Sequence, residues 1–219
     1  QKKHWRCSRC SWRDSRILLK KQKNWPGYEA VAEKLATQKD TIRKKLMKIY
    51  QSNPEPGFNV LCHGDFHIKN MMFTKNGEDI DKTMLLDFQL CFWGSPAIDL
   101  IYVFYAIGNS ECRKRRGEML SIYHASLCEY LNRLGCLRKP PSLLEINIEV
   151  LKMGSLELLW SVGFLPFLFM DFTKVDMEAV VAPTPEDMLK MRDLMYSNEG
   201  IVEVLKEVLP ELLYKGILA

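Results

Sequence analysis

Three short apolar runs, each leading into a polar residue, constrain the fold of this chain more than any other feature. The runs are Val60-Leu61-Cys62, Met71-Met72-Phe73 and Met84-Leu85-Leu86. Apolar runs this short are typical of buried β-strands. The Asn76-Gly77 pair between the second and third runs is a strong turn signal, so these two runs predict a β-hairpin.

Polar residues at the ends of these runs form a pattern that indicates chemistry. We expect the hairpin to display Asp65, Asn70 and Asp87 on one side. Mg²⁺ prefers hard oxygen ligands and usually takes only one or two from protein, which Asn70 and Asp87 offer. Asp65, five residues before Asn70, has the spacing that places a catalytic acid beside a metal-binding Asn in kinases. Each residue alone is typical of a turn or a cap, so the prediction of phosphoryl transfer from Mg·ATP depends on all three together.

The segments HGDFHIKNMMF (residues 63–73) and MLLDFQLCFWGSPAIDLIY (residues 84–102) resemble the ecdysteroid kinase-like family of insects. That family belongs to the aminoglycoside/choline phosphotransferase group of the protein-kinase-like superfamily. The resemblance extends over about residues 25–215, and the DFQ and GSPAIDL segments distinguish this family within the group. It implies an α+β fold, namely the C-terminal lobe of a kinase, mainly helical with a small catalytic β-hairpin.

The resemblance also implies roles for individual residues. Asp65 would be the catalytic acid, and Asn70 and Asp87 would bind Mg²⁺ and, through it, ATP. His63 and Asp99 would support the catalytic loop from behind. The implied acceptor is an ecdysteroid or another small hydroxylated lipophilic compound, in hormone storage or detoxification, while a choline or aminoglycoside acceptor stays open.

Two positions depart from the family pattern, and two others are candidates for the acceptor pocket. His67 stands where the family usually has an aromatic residue, often Trp, and Lys69 where it commonly has Asn. For both we favour an ordinary loop position over a direct role. Trp160 and Phe164 are candidates to line the acceptor pocket, although their helical spacing favours a place in the core.

The part of the sequence that precedes the motif is short for a kinase. Only 62 residues precede His63, and they contain neither a Gly-rich loop nor a Val-Ala-Ile-Lys-like strand. We therefore expect most of the small lobe to be missing, with residues 25–219 forming the large lobe and residues 1–24 a basic segment that is disordered or lies outside the family. The alternative function is that of a non-catalytic kinase-lobe fragment or pseudokinase that acts by binding.

Charge and cysteine content limit the possible partners and compartments. Residues 1–48 contain 15 Lys and Arg against 4 Asp and Glu, although the whole chain has a net charge of only +4. A basic segment can bind nucleic acid or an acidic membrane, but we favour a solvated helix face and tail.

Seven scattered cysteines suit free thiols in the cytoplasm, and Cys7-Ser8-Arg9-Cys10 alone is a weak zinc motif. No apolar run is long enough for a transmembrane helix.

Six helices are predicted from periodicity, caps and breakers. Their expected bounds are, in chain order, from Pro26-Gly27 to Ile49, from Gly94-Ser95-Pro96 to Ala106, from Glu111 to Leu134, from Ser142 to about Phe169, from Thr184 onward, and from Gly200 to Leu209, with a break at Pro210.

Overall fold

The computed structural model describes residues 25–37, 39–49, 57–175 and 183–218. Its longer helices are α1 (Glu29–Thr37), α2 (Lys39–Ile49), α3 (Ala97–Ala106), α4 (Ser110–Lys114), α5 (Arg116–Arg133), α6 (Leu143–Lys152), α7 (Gly154–Leu158), α8 (Leu165–Leu168), α9 (Pro185–Met195) and α10 (Glu199–Tyr214). Its strands are β1 (Val60–Cys62), β2 (Met71–Asn76), β3 (Asp79–Leu85) and β4 (Phe92–Gly94). The predicted α+β class is confirmed, since helices predominate and the strands form two small sheets.

The described residues fall into two compact units. One is Ile49–Glu157, and the described residues before it and from Leu158 onward form the other. All four strands and the candidate catalytic residues belong to Ile49–Glu157. The proposed division at residue 24 stays a prediction, because residues 1–24, including the possible zinc motif, lie outside the described residues.

The strands pair as two antiparallel ribbons. β2 and β3 form the predicted hairpin, with Met71 opposite Leu85 and Gly77 in the left-handed conformation (φ +66) at the turn. β1 pairs with β4, so that Cys62 lies opposite Phe92. β4 was not predicted, because Phe92-Trp93-Gly94 has no alternation and becomes a strand only by pairing with a segment 30 residues away.

Helix α3 lies at the centre of the unit that contains the strands. Six of its side chains are buried, four of them apolar and two of them tyrosines. They are Ala97, Ile98, Ile101, Phe104, Tyr102 and Tyr105. The helix contacts α6, which begins with a capping box between Ser142 and Glu145, as predicted. A helix buried on most of its surface is a rigid base for any loop that hydrogen-bonds to it.

The helix predicted over residues 111–134 is divided in the structure. The first part ends at Lys114 and the second begins at Arg116, because the backbone of Arg115 between them leaves the helical region (ψ 18°). The turn coincides with a tertiary contact, since the Arg116 guanidinium donates to the buried Glu157 carboxylate at 2.7 Å. An ion pair formed with a distant residue is not visible in local periodicity. The predicted end at Gly135 is confirmed, with φ +64.

The long helix predicted from Ser142 to Phe169 is also divided, into α6, α7, a π-helical segment (Leu159–Phe164) and α8. Pro166 explains the π segment, because a proline lacks the N–H that an α-helix would offer to the carbonyl of Val162. The Tyr196 hydroxyl donates to that carbonyl at 2.7 Å instead.

The predicted break at Pro210 was wrong, since α10 continues through it to Tyr214. Pro210 removes the hydrogen bond to the carbonyl of Lys206, four residues earlier. The Tyr28 hydroxyl, just before α1, donates to that carbonyl at 2.7 Å. A side chain from another element therefore compensates for the missing amide.

None of the helices that the structure describes is by itself long and apolar enough to cross a membrane; one bent pair, Leu143–Lys152 with Gly154–Leu168, meets the length and composition required.

Candidate active site

The loop after β1 begins with two backbone amides that bind one carboxylate. The His63 amide donates to Asp99 Oδ2 at 2.6 Å, and the Gly64 amide donates to Asp99 Oδ1 at 3.0 Å. Asp99 lies in the first turn of α3. Burial raises the pKa of the Asp99 carboxyl above its usual value, although the two amide hydrogen bonds oppose the shift.

Gly64 is required by the path of this loop. Its φ is +80, and a Cβ at this position would lie 2.5 Å from the carbonyl oxygen of Leu90 and 3.2 Å from the Phe92 ring. The loop therefore passes against the Leu90 carbonyl and the Phe92 ring with no space for a side chain.

The His63 ring connects the loop to the end of β3. Its Nε2 lies 2.7 Å from the carbonyl oxygen of Leu86, and its Nδ1 lies 3.3 Å from the Asp65 amide nitrogen. These partners require the tautomer in which Nε2 donates and Nδ1 accepts. The Leu86 amide also donates to the carbonyl of Asn70 at 2.9 Å. Both the carbonyl and the amide of Leu86, immediately before Asp87, are therefore hydrogen-bonded.

The carboxylate of Asp65 has hydrogen bonds to both oxygens. The Tyr102 hydroxyl donates to Oδ1 at 3.0 Å, and Asn70 Nδ2 donates to Oδ2 at 3.2 Å. The side chain is 25% exposed, so one side of the carboxylate faces solvent. A carboxylate has about four lone-pair sites, and two of them therefore have no hydrogen-bond donor among the described residues.

Asn70 is oriented by the same contact. Its Nδ2 also donates to the carbonyl oxygen of Asp65 at 2.9 Å, and its side chain is buried. Because both donor bonds are made by Nδ2, the amide oxygen Oδ1 points elsewhere. Among the described residues it has no hydrogen-bond donor, so it is available to a hard cation.

Asp87 has an unusual backbone conformation. Its φ of 58° and ψ of 67° lie in the left-handed region, and among the described residues it is the sole non-glycine with positive φ. Such a conformation disfavours most side chains by about 1–2 kcal/mol and is enriched at functional sites. The carboxylate is exposed, and its Oδ2 accepts from Gln89 Nε2 at 2.9 Å.

The donor set suits Mg²⁺ bound together with phosphate. The described part of the chain contains no group of three or more His, Cys, Asp or Glu side chains that could hold a metal ion. Asn70 Oδ1 and the Asp87 carboxylate are two hard ligands from adjacent ends of the hairpin. That number fits an ion that completes its shell with phosphate oxygens and water.

The structure places the other sequence candidates as follows. His67 lies beside the site, with Nε2 3.5 Å from Asp65 Oδ1 and with its buried Nδ1 unpaired within the described ranges. Lys69 is exposed. Trp160 and Phe164 belong to the other unit, where their rings meet edge to face at 5.0 Å. Their role in an acceptor pocket stays a prediction.

Sequence reasoning missed Tyr102. It lies three residues after Asp99, so both side chains project from one face of α3. That spacing could have indicated that Tyr102 also faces the loop, but a tyrosine in an apolar helix is ordinarily assigned to the core.

Two further groups behind the loop have shifted pKa values. Burial raises the pKa of the Cys62 thiol to about 12, with smaller contributions from Asp99 and Cys91. Burial also raises the pKa of the Tyr123 hydroxyl to about 12, with smaller contributions from Cys62 and Asp99. The region behind the loop therefore disfavours additional negative charge.

Comparison with known proteins identifies a family to which this chain is similar. The model of the ecdysteroid kinase-like family matches residues 13–136, which include every residue of the site described above. The match begins and ends earlier than the range expected from the motifs. No curated protein and no solved structure is significantly similar to the chain. The family match covers more than half of the sequence and agrees with the α+β fold of the kinase-like type, and the chain therefore belongs to the ecdysteroid kinase-like family.

Proposed function

We propose that this protein is an ATP-dependent small-molecule O-phosphotransferase. Membership of the family indicates a phosphotransferase of the kinase type. The observation that best supports activity is the Asp65–Asn70 contact, in which Nδ2 of the amide holds the acid and Oδ1 is left for a metal.

Each of the three polar residues has a distinct role in this proposal. Asp65 accepts a hydrogen bond from the acceptor hydroxyl, orients it toward the γ-phosphorus and receives its proton. Asn70 and Asp87 would hold Mg²⁺ together with the triphosphate. When bound, the ion would supply charge neutralisation for the phosphate oxygens.

His63 and Asp99 act through the loop and do not touch the reactants. Asp99 fixes the amides of His63 and Gly64, and the His63 ring fixes Leu86. The Asp99 contacts fix the backbone just before Asp65, and the His63 ring fixes the backbone just before Asp87. Such positioning contributes as much to a phosphoryl transfer as the acid does.

For the acceptor we propose an ecdysteroid or another hydroxylated lipophilic compound. Support comes from the family to which the chain belongs. The described contacts favour none of the hydroxyls of such a compound, so the position phosphorylated is left to product analysis.

Titration calorimetry of the purified chain with Mg·ATP is the first test. Asp87→Asn should weaken binding at least tenfold, because a neutral amide replaces a charged metal ligand. Asp81→Asn is the matched control, since it makes the same change at an exposed position in β3, and it should bind as the wild type does.

Transfer of phosphate to ecdysone is the second test. Asp65→Asn should retain Mg·ATP binding and lose transfer by about 10²–10⁴-fold, the range that general-base catalysis supplies. A wild-type chain that binds Mg·ATP but transfers phosphate neither to ecdysone nor to water would contradict the proposal and favour a binding function.

A further inference from the structure

We propose that Tyr102 is a positioning residue of the phosphotransfer site, whose hydroxyl fixes the orientation of the Asp65 carboxylate. This inference rests on the proposed function and adds a residue to it. The observation is the hydrogen bond from the Tyr102 hydroxyl to Asp65 Oδ1, at 3.0 Å, from a side chain only 1% exposed.

Tyr102 is on a rigid element, whereas Asp65 is on a loop. Two neighbours of Tyr102 in α3 are deeply buried, with Ile101 at 0% and Phe104 at 3% exposure. The same helix provides Asp99, which binds the backbone of the loop at His63. α3 therefore holds the main chain of the loop with one residue and the reactive side chain with another, three residues later.

Without Tyr102, the other contacts leave rotation about the Asp65 side chain poorly restrained. Asn70 Nδ2 meets Oδ2 at 3.2 Å but makes its shorter bond, 2.9 Å, to the Asp65 backbone carbonyl. His67 Nε2, at 3.5 Å from Oδ1, is too distant for a strong hydrogen bond. The Tyr102 bond is therefore the shortest hydrogen bond to the carboxylate among the described contacts.

Orientation matters because of the step that Asp65 assists. The acceptor oxygen forms a bond to the γ-phosphorus of ATP, the bond from that phosphorus to the β,γ-bridging oxygen breaks, and ADP leaves. The hydroxyl proton passes to the Asp65 carboxylate and then to solvent. A carboxylate that rotates out of line no longer directs the hydroxyl lone pair at phosphorus, which lowers kcat without changing nucleotide binding.

Tyr102→Phe removes only the hydroxyl and keeps the ring that fills the core. We expect kcat for Mg·ATP-dependent transfer, to ecdysone and to water, to fall roughly 10- to 100-fold, the equivalent of one hydrogen bond to a charged group. The KM for Mg·ATP should stay within about twofold of the wild-type value, since Asn70 and Asp87 are untouched.

Tyr105→Phe is the matched control. Tyr105 lies on the same helix, is 3% exposed, and donates to Glu157 Oε2 at 2.9 Å instead of to the loop. Its substitution should lower thermal stability but leave kcat unchanged. A purely structural role for Tyr102 would make the two variants behave alike.

A crystal structure of Tyr102→Phe provides a measurement that does not depend on turnover. The Asp65 carboxylate should leave its wild-type position or become disordered. An unchanged Asp65 carboxylate, or a wild-type kcat, would overturn the role of Tyr102. If the wild-type chain shows no turnover, the proposed function fails, and the Asp65 position in the two crystal structures alone decides whether Tyr102 orients it.

Discussion

The Tyr28 hydroxyl donates to the main-chain carbonyl of Lys206 at 2.7 Å, the carbonyl that Pro210 leaves without its helical partner. The Tyr196 hydroxyl has the same relation to the carbonyl of Val162, four residues before Pro166. In both cases a proline occurs within a helical segment, and a tyrosine from another element donates in place of the missing amide. An unpaired carbonyl in such a position destabilises a fold by about 1–3 kcal/mol.

We predict that Tyr28→Phe lowers the free energy of unfolding by about 1 kcal/mol, the typical net value of one hydrogen bond. The loss should shrink to a few tenths of a kcal/mol in a Pro210→Ala background, because the new amide at position 210 bonds to the Lys206 carbonyl. Urea denaturation of the four proteins in this double-mutant cycle measures both values. Equal losses in the two backgrounds would show that the hydroxyl does not compensate for the proline.

These tyrosines show why the sequence predicted some elements and not others. The hairpin turn at Asn76-Gly77, the capping box at Ser142 and the helix start at Thr184 depend on residues within four positions of each other, and all were predicted. Pro210 also follows a local rule, but a tyrosine far away in the sequence overrides it.

The same distinction applies to the candidate site. Asp65 and Asp87 follow strands whose signal is local, Asn70 immediately precedes one, and Asp99 stands in a recognisable helix start, so the sequence could indicate all four as candidates. Tyr102 reaches Asp65 across 37 positions in the chain, and β4 exists only as the partner of β1. Neither contact has a local signature.

Gly64→Ala should destabilise the protein by about 2–5 kcal/mol, through left-handed strain and overpacking together. The new methyl group would lie 2.5 Å from the Leu90 carbonyl oxygen, and the backbone at this position has φ +80. Affinity for Mg·ATP should also fall, because the loop that holds Asn70 must move. Chemical denaturation and calorimetry measure the two effects.

Gly77→Ala is the control for Gly64→Ala. Gly77 also has positive φ (+66), but no heavy atom lies within 4 Å of the position of its added Cβ. This variant should be destabilised by about 1–2 kcal/mol from conformational strain alone. Similar losses for the two variants would mean that the close approach to Leu90 is relaxed in solution.

Asp99 variants should show a graded loss of stability. Asp99→Ala removes the acceptor of both the His63 and Gly64 amides and should lower the free energy of unfolding by about 2–4 kcal/mol. Asp99→Asn keeps one acceptor oxygen and should lose less. Urea denaturation at pH 7 gives the order, and an alanine variant as stable as the asparagine variant would contradict it.

Asp99 should also make the free energy of unfolding depend on pH in acid. Burial raises the pKa of Asp99 above 3.8, so the folded chain keeps this proton over a pH range in which the unfolded chain has lost it. Stability from this group therefore decreases as pH rises through that range. Asp99→Asn should remove the decrease, which denaturation at closely spaced values from pH 3.5 upward would show as a difference in slope.

At alkaline pH, Cys62 and Tyr123 should make the protein less stable as pH rises. Their pKa values are raised from 9.0 and 10.0, respectively, to about 12, so the folded state keeps both protons after the unfolded chain has released them. Each group therefore lowers the free energy of unfolding by about 1.4 kcal/mol per pH unit above its ordinary pKa. Guanidinium denaturation between pH 8.5 and 11 measures the slope.

Tyr123→Phe separates the two contributions. Because the ordinary pKa of tyrosine is higher than that of cysteine, the variant should follow the wild-type slope up to about pH 10 and fall less steeply above it, by about 1.4 kcal/mol per pH unit. Tyr130→Phe is the control on the same helix, at a side chain 58% exposed to solvent, and should keep the wild-type slope throughout. A Tyr123 variant whose slope above pH 10 equals that of the wild type would show that its hydroxyl ionises in the folded protein as readily as in the unfolded chain.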